Sequence, residues 1–312
     1  MPSPQLARSV TYAGAASSWP GRAAVRLLET LGGRTELIRR AEDYEAELAR
    51  GRDFWEVMCD RYDIGIEVVG GTLEAIPRKG PLVVVANHPF GILDGLVLGR
   101  ILSSRRAGDF RIMAHSVFKL APELRRVLLP IDFSETRDAV ARNLATRAQA
   151  LDYLAGGGAI GIFPGGTVST APTPWGPPLD PLWRSFTGKL VGRRDVTVIP
   201  LFFEGANSRM FQIASHLHYT LRLGLLIPEF RARVSTDVGI VVGEPVPRAQ
   251  IDGFGRDAQS LMAFLRRSTY DLAPRSLPHH RLGYEFEARY RTTPARRRPD
   301  LPELGAEPMR GL

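Results

Sequence analysis

The stretch PLVVVANHPFGILDGLVLGRILSS, residues 81–104, decides how the rest of the chain is read. It starts with a continuous apolar run rich in valine, the composition of a strand buried on both faces. Pro89 and Gly91 then break any continuous helix. From Ile92 the pattern becomes helical. A strand, a turn and a helix therefore follow one another, and the turn carries Asn87, His88 and, just inside the helix, Asp94. In an unbroken helix residues six apart lie about 240° apart around the axis. His88 and Asp94 would then face different ways. A turn at Pro89–Gly91 instead folds the imidazole back over the first helical turn. The carboxylate can then hold one ring nitrogen while the other takes a proton from a hydroxyl or amine. A histidine satisfied within the core, with an aspartate favoured at a helix start, is the competing reading of the pair taken alone.

Outward from this stretch, strands and helices alternate. IGIEVVGG (64–71), FRIMAH (110–115), RVLLPIDF (126–133), AIGIFPGG (159–166), VTVIPLFFEG (196–205) and TDVGIVVGEPV (236–246) read as strands. ILDGLVLGRILSS (92–104), TRDAVARNLATRAQALDYLAGG (136–157), WRSFTGKLVGR (183–193) and RDAQSLMAFLRRST (256–269) read as helices, with a shorter one around KLAPELRR (119–126). The pattern predicts an α/β fold, a mixed and mostly parallel sheet flanked by helices. AVRLLETL, TELIRRAEDYEAELARG and DFWEVMCDRY carry helical periodicity between residues 24 and 62 and predict an N-terminal helical cap. The expected division is a helical region over 1–63, an α/β domain over 64–275, and a partly disordered tail over 276–312, where proline and arginine accumulate. Four polar or glycine-rich segments follow strands: NHPFG, IDFSETR, FPGGTVS and FEGANSR. In α/β sheets sites form at the carboxyl ends of strands, so these segments are expected to converge.

Composition narrows the function. The 312 residues carry a formal charge of +8, which favours anionic partners such as lipid surfaces, carrier proteins, phosphorylated cofactors or nucleic acid. The single cysteine, Cys59, allows neither an internal disulfide nor a cysteine metal cluster. HLH at 216–218 and HH at 279–280 lack the carboxylates that would complete a metal site. No GxSxG nucleophile elbow and no Walker lysine is present. No run reaches the roughly 18 apolar residues of a membrane span, although YTLRLGLLIPEF (219–230) comes nearest. Action at a membrane would be from the surface.

VVVANHPFGILDG, GIFPGGTVS and VTVIPLFFEGANSR, in this order, resemble the bacterial glycerophosphate and lysophospholipid acyltransferases (PlsC-like), above all the branch of haemolysin-like and ornithine-lipid acyltransferases. The resemblance spans roughly residues 65 to 250. It implies an O-acyltransferase with His88 as general base and Asp94 as its orienter, although the spacing is one residue longer than the usual motif. It implies an acyl thioester donor, on acyl carrier protein or coenzyme A, a lysolipid acceptor, no bound cofactor or metal, and a place at the inner face of the cell membrane. Substrate-binding residues would be Asn87, Phe163, Pro164, Gly165, Gly166 and Thr167, with Arg137 for the second block and Lys189 in WRSFTGKL, where Trp183 and Arg184 offer further phosphate docking. Pro200 would shape the pocket wall. Gly165 stands where relatives commonly have a glutamate. Its loss removes a hydrogen-bond acceptor and leaves room, so glycerol 3-phosphate is expected to be a poor acceptor and a bulkier lysolipid a better one. A non-catalytic lipid-binding member of the same fold and a basic nucleic-acid-binding protein are the remaining readings. Thioester turnover dependent on His88 would exclude the first, and salt-dependent binding without lipid would mark the second.

Overall fold

The computed structural model describes residues 11–16, 18–115, 122–131, 137–278 and 280–286. Four helices come first: α1 (Trp19–Leu31), α2 (Arg34–Arg40), α3 (Tyr44–Ala49) and α4 (Phe54–Tyr62). The α/β part follows as β1 (Ile64–Gly70), β2 (Leu82–Ala86), α5 (Ile92–Arg106), β3 (Arg111–His115), α6 (Pro122–Val127), β4 (Leu128–Ile131), α7 (Arg137–Ala155), β5 (Ala159–Ile162), α8 (Gly188–Val191), β6 (Thr197–Phe203), α9 (Arg209–Leu217), α10 (Tyr219–Arg231), β7 (Thr236–Val242), α11 (Arg248–Asp252) and α12 (Ala258–Tyr270). The strands form a seven-stranded sheet in the order β1-β7-β6-β2-β5-β3-β4. β2 pairs in parallel with both β5 and β6, β3 with β4 and β5, and β1 with β7, while β6 and β7 are antiparallel. The sheet is thus mixed and mostly parallel, as the alternation of apolar runs and helices predicts. β2 is buried at every position, which is why it reads as an unbroken apolar run.

Alternate residues of β2 serve opposite faces. Leu82, Val84 and Ala86 join the core beneath α5, α4 and α10. Val83 and Val85 join the core beneath α7, α8 and α12. On the first face α4 approaches α5 closely at Gly99, where a methyl group would overlap the Trp55 ring. Helices α1 and α10 lie side by side in the same direction, since Gly21 meets Thr220, Leu28 meets Gly224 and Gly32 meets Pro228. The apolar segment 219–230 is therefore an internal helix, buried along Leu223, Leu226, Ile227 and Phe230. No helix among the described residues is long and apolar enough to cross a membrane.

Two local differences from the sequence pattern have physical causes. WRSFTGKLVGR is a 3₁₀ turn (Ser185–Thr187) followed by the four-residue α8, because Trp183 and Arg184 are tied down before it. Trp183 is buried and donates its indole N–H to Asp180 Oδ2 at 2.8 Å, and Arg184 pairs with Glu285 at 2.7 and 3.0 Å. Neither is a surface docking residue. In the tail, residues 280–286 run beside the Thr170–Leu179 bridge, with Gly283 N donating to Asp180 O and Tyr284 N to Thr170 O. The expectation of disorder from Arg291 onward lies outside the described residues.

Candidate active site

The carboxyl ends of β2, β5 and β6 lie side by side, with β2 in the middle. The chain leaves β2 at Asn87. Its side chain adds one more rung to the β2–β6 pairing, since Nδ2 donates to Phe203 O at 2.9 Å and Oδ1 accepts Phe203 N–H at 2.7 Å. Asn87 thereby pins the strand end and lets the main chain turn at His88. Gly91 adopts φ 95° and ψ −117°, a conformation that only glycine enters at low cost. This corner brings Asp94, the third residue of α5, back over the turn. Asp94 Oδ2 accepts the N–H groups of Phe90 (2.8 Å) and Gly91 (2.9 Å), the reciprocal half of a capping box.

The same oxygen lies 2.8 Å from His88 Nδ1. The distance is that of a hydrogen bond, but the ring N–H is not aligned on the oxygen. Such alignment commonly tightens only when substrate is present. Asp94 is fully buried, while the His88 side chain keeps 18% of its surface. Burial pushes the Asp94 carboxyl up, and the His88 ring and the two backbone N–H groups pull the other way. Phe163, at the end of β5, stacks on the imidazole with centroids 4.3 Å apart and planes 22° apart. The imidazole is thus fixed by a carboxylate at one nitrogen and a ring on one face, the arrangement of an oriented general base.

The turn after β5 packs directly on this pair. Gly166 N–H donates to Phe163 O at 3.0 Å and closes the turn, and Ser169 N–H donates to His88 O at 2.7 Å. Pro164 O accepts Arg184 N–H. The N–H groups of Gly165 and Thr167 have no acceptor among the described residues. The room expected beside Gly165 is taken up by Asp180, whose Cγ would lie 3.3 Å from a Cβ built there. Asp180 is fully buried. It accepts His88 N–H at 3.2 Å, the Ser169 hydroxyl and the Trp183 indole. A glutamate at 165 would put a second carboxylate against this one, which like charges oppose. Glycine at 165 and aspartate at 180 therefore belong together.

Not every residue singled out in the sequence joins this cluster. Arg137 is the exposed first residue of α7, and residues 132–136 before it lie outside the described chain. Lys189 is exposed on α8, whose Leu190 and Val191 pack on the opposite face of the sheet. Among the described residues neither bonds to His88 or Asp94. His216 Nε2 lies 2.9 Å from Ala171 O, and His218 Nδ1 accepts Thr220 N–H at the start of α10. Pro200 lies within β6, paired with Val85.

Three contributors escape motif reading. Asp180 sits in a proline-rich stretch without periodicity. Tyr12 packs its buried hydroxyl over the Gly91 corner, 3.3 Å from a Cβ built there, and burial, with the Asp94 charge nearby, pushes its ionisation up. Arg222, on α10, donates to Thr167, Val168 and Thr170 from beneath. A cation in the middle of an apolar helix is the one sequence signal that points to it.

Residues 67–215, which hold the histidine–aspartate turn, the glycine turn and β6, match the acyltransferase family. That segment, just under half of the chain, marks the protein as an acyltransferase. The acyltransferase is 26% identical over 217 residues to a lyso-glycine lipid O-acyltransferase of Phocaeicola vulgatus, covering 67% of this chain and 74% of that protein. It is 25% identical over 219 residues to a protein of the same name from Bacteroides thetaiotaomicron, covering 67% of this chain and 76% of that one. Among solved structures it is similar to the 1-acyl-sn-glycerophosphate (LPA) acyltransferase, PlsC, from Thermotoga maritima, with 18% identity, a TM-score of 0.42, and 71% and 78% of the two chains covered. With the family match, the two lyso-glycine lipid O-acyltransferase relatives make the protein an O-acyltransferase.

Proposed function

We propose that this acyltransferase moves a fatty acyl group from a thioester, on acyl carrier protein or coenzyme A, to the hydroxyl of a lysolipid. The reading rests on one observation: His88 is held at 2.8 Å by a buried carboxylate while part of its ring stays open at the carboxyl edge of the sheet. His88 takes the proton of the acceptor hydroxyl. The hydroxyl oxygen attacks the thioester carbonyl, and the N–H groups of Gly165 and Thr167 face the oxyanion that forms. The C–S bond then breaks, and the imidazolium returns its proton to the departing thiolate. No bound cofactor or metal enters the scheme.

The acceptor is a lysophospholipid or a lyso-aminolipid, the latter suggested by the name the two curated relatives share. With glycine at 165, the site lacks the carboxylate that would accept a hydrogen bond from a glycerol 3-phosphate acceptor or hold a cation beside its phosphate, and Asp180 is too buried to take its place. A missing charge-assisted hydrogen bond shifts preference by about ten- to a hundredfold. Purified protein given one long-chain acyl thioester and a panel of acceptors should acylate lysolipids, and glycerol 3-phosphate should rank lowest in kcat/KM. First rank for glycerol 3-phosphate would overturn the acceptor assignment. The absence of thioester turnover with every acceptor would overturn the catalytic one.

The membrane surface is the proposed workplace, and α1 is the proposed contact. Trp19, Ala23, Leu27 and Leu31 form an exposed apolar stripe at helical spacing, with Arg22 and Arg26 beside it. Its opposite side, at Val25 and Glu29, is buried. Trp19→Glu together with Leu27→Glu should weaken binding to vesicles containing anionic phospholipid by about tenfold or more, the effect of withdrawing one or two large apolar side chains from lipid. Wild-type co-sedimentation should fall at high salt. Binding indifferent to salt and released only by detergent would rule out this surface mode.

A further inference from the structure

Arg222 is left over by the mechanism above. It is 2% exposed, and among the described residues no carboxylate stands within ion-pair reach of it. Its terminal nitrogens donate only to neutral oxygens. Nη1 reaches Thr170 Oγ1 at 2.6 Å and Ser215 Oγ at 3.1 Å; Nη2 reaches Thr167 Oγ1 at 3.0 Å and Val168 O at 2.8 Å. The Phe211 and Phe286 rings cover the guanidinium, with centroids 4.9 and 4.2 Å from its carbon. Burial pulls its pKa down to about 10, so it remains charged at neutral pH. Buried charges are ordinarily paired, because an isolated one costs several kcal/mol. None of the described acidic residues pairs with this cation, which sits at the edge of the reaction site.

The four acceptors differ in what they pass on. The Thr170 hydroxyl donates to Val168 O at 2.9 Å and the Ser215 hydroxyl to Phe211 O at 2.7 Å. The Val168 carbonyl has no proton to give. Thr167 alone accepts from Arg222 while its own O–H has no acceptor among the described residues. It is only half-buried. Its neighbours touch the reacting turn: Val168 Cγ2 is 3.3 Å from a Cβ built on Gly91, and Ser169 N–H binds His88 O. A hydroxyl that accepts from a cation is a stronger donor than a free one, since each bond polarises the next.

We propose that Arg222 charges an anion-recognition site on the glycine turn, where its guanidinium polarises the Thr167 hydroxyl to donate to the anionic headgroup, carboxylate or phosphate, of the acceptor lipid. The proposal rests on the lysolipid acyltransferase reading and names what that reading leaves open. Thr167 makes the contact, and Arg222 is a positioning residue acting through it.

The test uses two matched acceptor pairs with one acyl thioester: an N-(3-hydroxyacyl)glycine against its glycinamide, and a lysophosphatidate against the monoacylglycerol. Wild type should prefer the anionic member of at least one pair. Arg222→Met and Thr167→Val should each raise KM for that anionic member about ten- to a hundredfold more than for its neutral partner. The pair that responds tells carboxylate from phosphate. A parallel loss on both members would mean that Arg222 only braces the turn and would overturn the proposal, as would a wild type indifferent to charge. Thr167→Val removes one hydroxyl and carries the test if Arg222→Met does not fold. Calorimetric binding of N-dodecanoylglycine against its amide separates the two readings. Discrimination that vanishes in the variants supports the anion site even without turnover, and equal binding of acid and amide, together with equal binding of lysophosphatidate and monoacylglycerol, overturns it even where turnover is brisk.

Discussion

His88→Ala lowers the rate of acyl transfer by about 10²–10⁴-fold, the usual contribution of a positioned general base, and leaves the fold standing. The structure separates the two effects. The backbone of His88 keeps its place in the alanine variant, because its carbonyl still accepts Ser169 N–H and its N–H still meets Asp180. The Asn87 rung to Phe203 is untouched. Asp94 loses the imidazole but retains the Phe90 and Gly91 N–H groups. The stability loss is then of the size of one hydrogen bond, about 0.5–1.5 kcal/mol. Thiol release from an acyl thioester in the presence of acceptor, read beside a thermal unfolding curve, checks both halves. A variant that folds and still turns over near the wild-type rate would remove His88 from the chemistry.

Asp94→Asn has a comparable effect on rate for a different reason. Oδ2 is the acceptor of two backbone N–H groups and the neighbour of His88 Nδ1, whereas Oδ1 is buried without a partner among the described residues. An asparagine therefore has one workable orientation. Its carbonyl oxygen must replace Oδ2, because the amide nitrogen there would face two N–H donors. The amide then occupies the empty side, where an unmet buried donor costs about 1–3 kcal/mol. His88 keeps a neighbour that accepts but loses the charge that stabilises the imidazolium. In a comparable histidine–carboxylate pair the same substitution, which there leaves the imidazole in the wrong tautomer, is worth on the order of 10⁴-fold in kcat, so a fall of about 10²–10⁴-fold is expected here. Turnover within a few-fold of wild type would show that orientation suffices and the charge is dispensable.

What the sequence shows of this site is what its local pattern encodes. β2, β5 and β6 are legible as apolar runs, and His88 and Asp94 stand out as polar residues inside one of them. Gly91 and Gly166 mark turns where positive φ is required. Residues that reach the site through tertiary packing are not legible. Asp180 arrives from 92 positions away to hold His88 N–H, and no spacing rule links a carboxylate in a proline-rich loop to a glycine turn. Arg222 is hidden because nothing in the short apolar run around it, 219–230, ties that run to the glycine turn it packs beneath. Lys189 illustrates the converse. Its surroundings suggest a docking helix, but the side of the sheet on which a helix lies is set by the crossover and not by its own composition.

The Asn87 rung carries a consequence for how the protein is made. It joins residues 116 positions apart, and the strand it extends, β2, sits between β5 and β6 at the middle of the sheet. At synthesis rates of about 5–20 residues per second, β2 leaves the ribosome roughly 6–23 s before its partner β6 does. During that interval one of the most apolar strands of the molecule is an open edge, the form in which strands pair with the wrong chain. Folding dominated by such distant pairings is slow, so catalytic competence arrives with the last third of the chain. Fragments that stop short of β6 should accumulate as insoluble protein, never as a weakened enzyme.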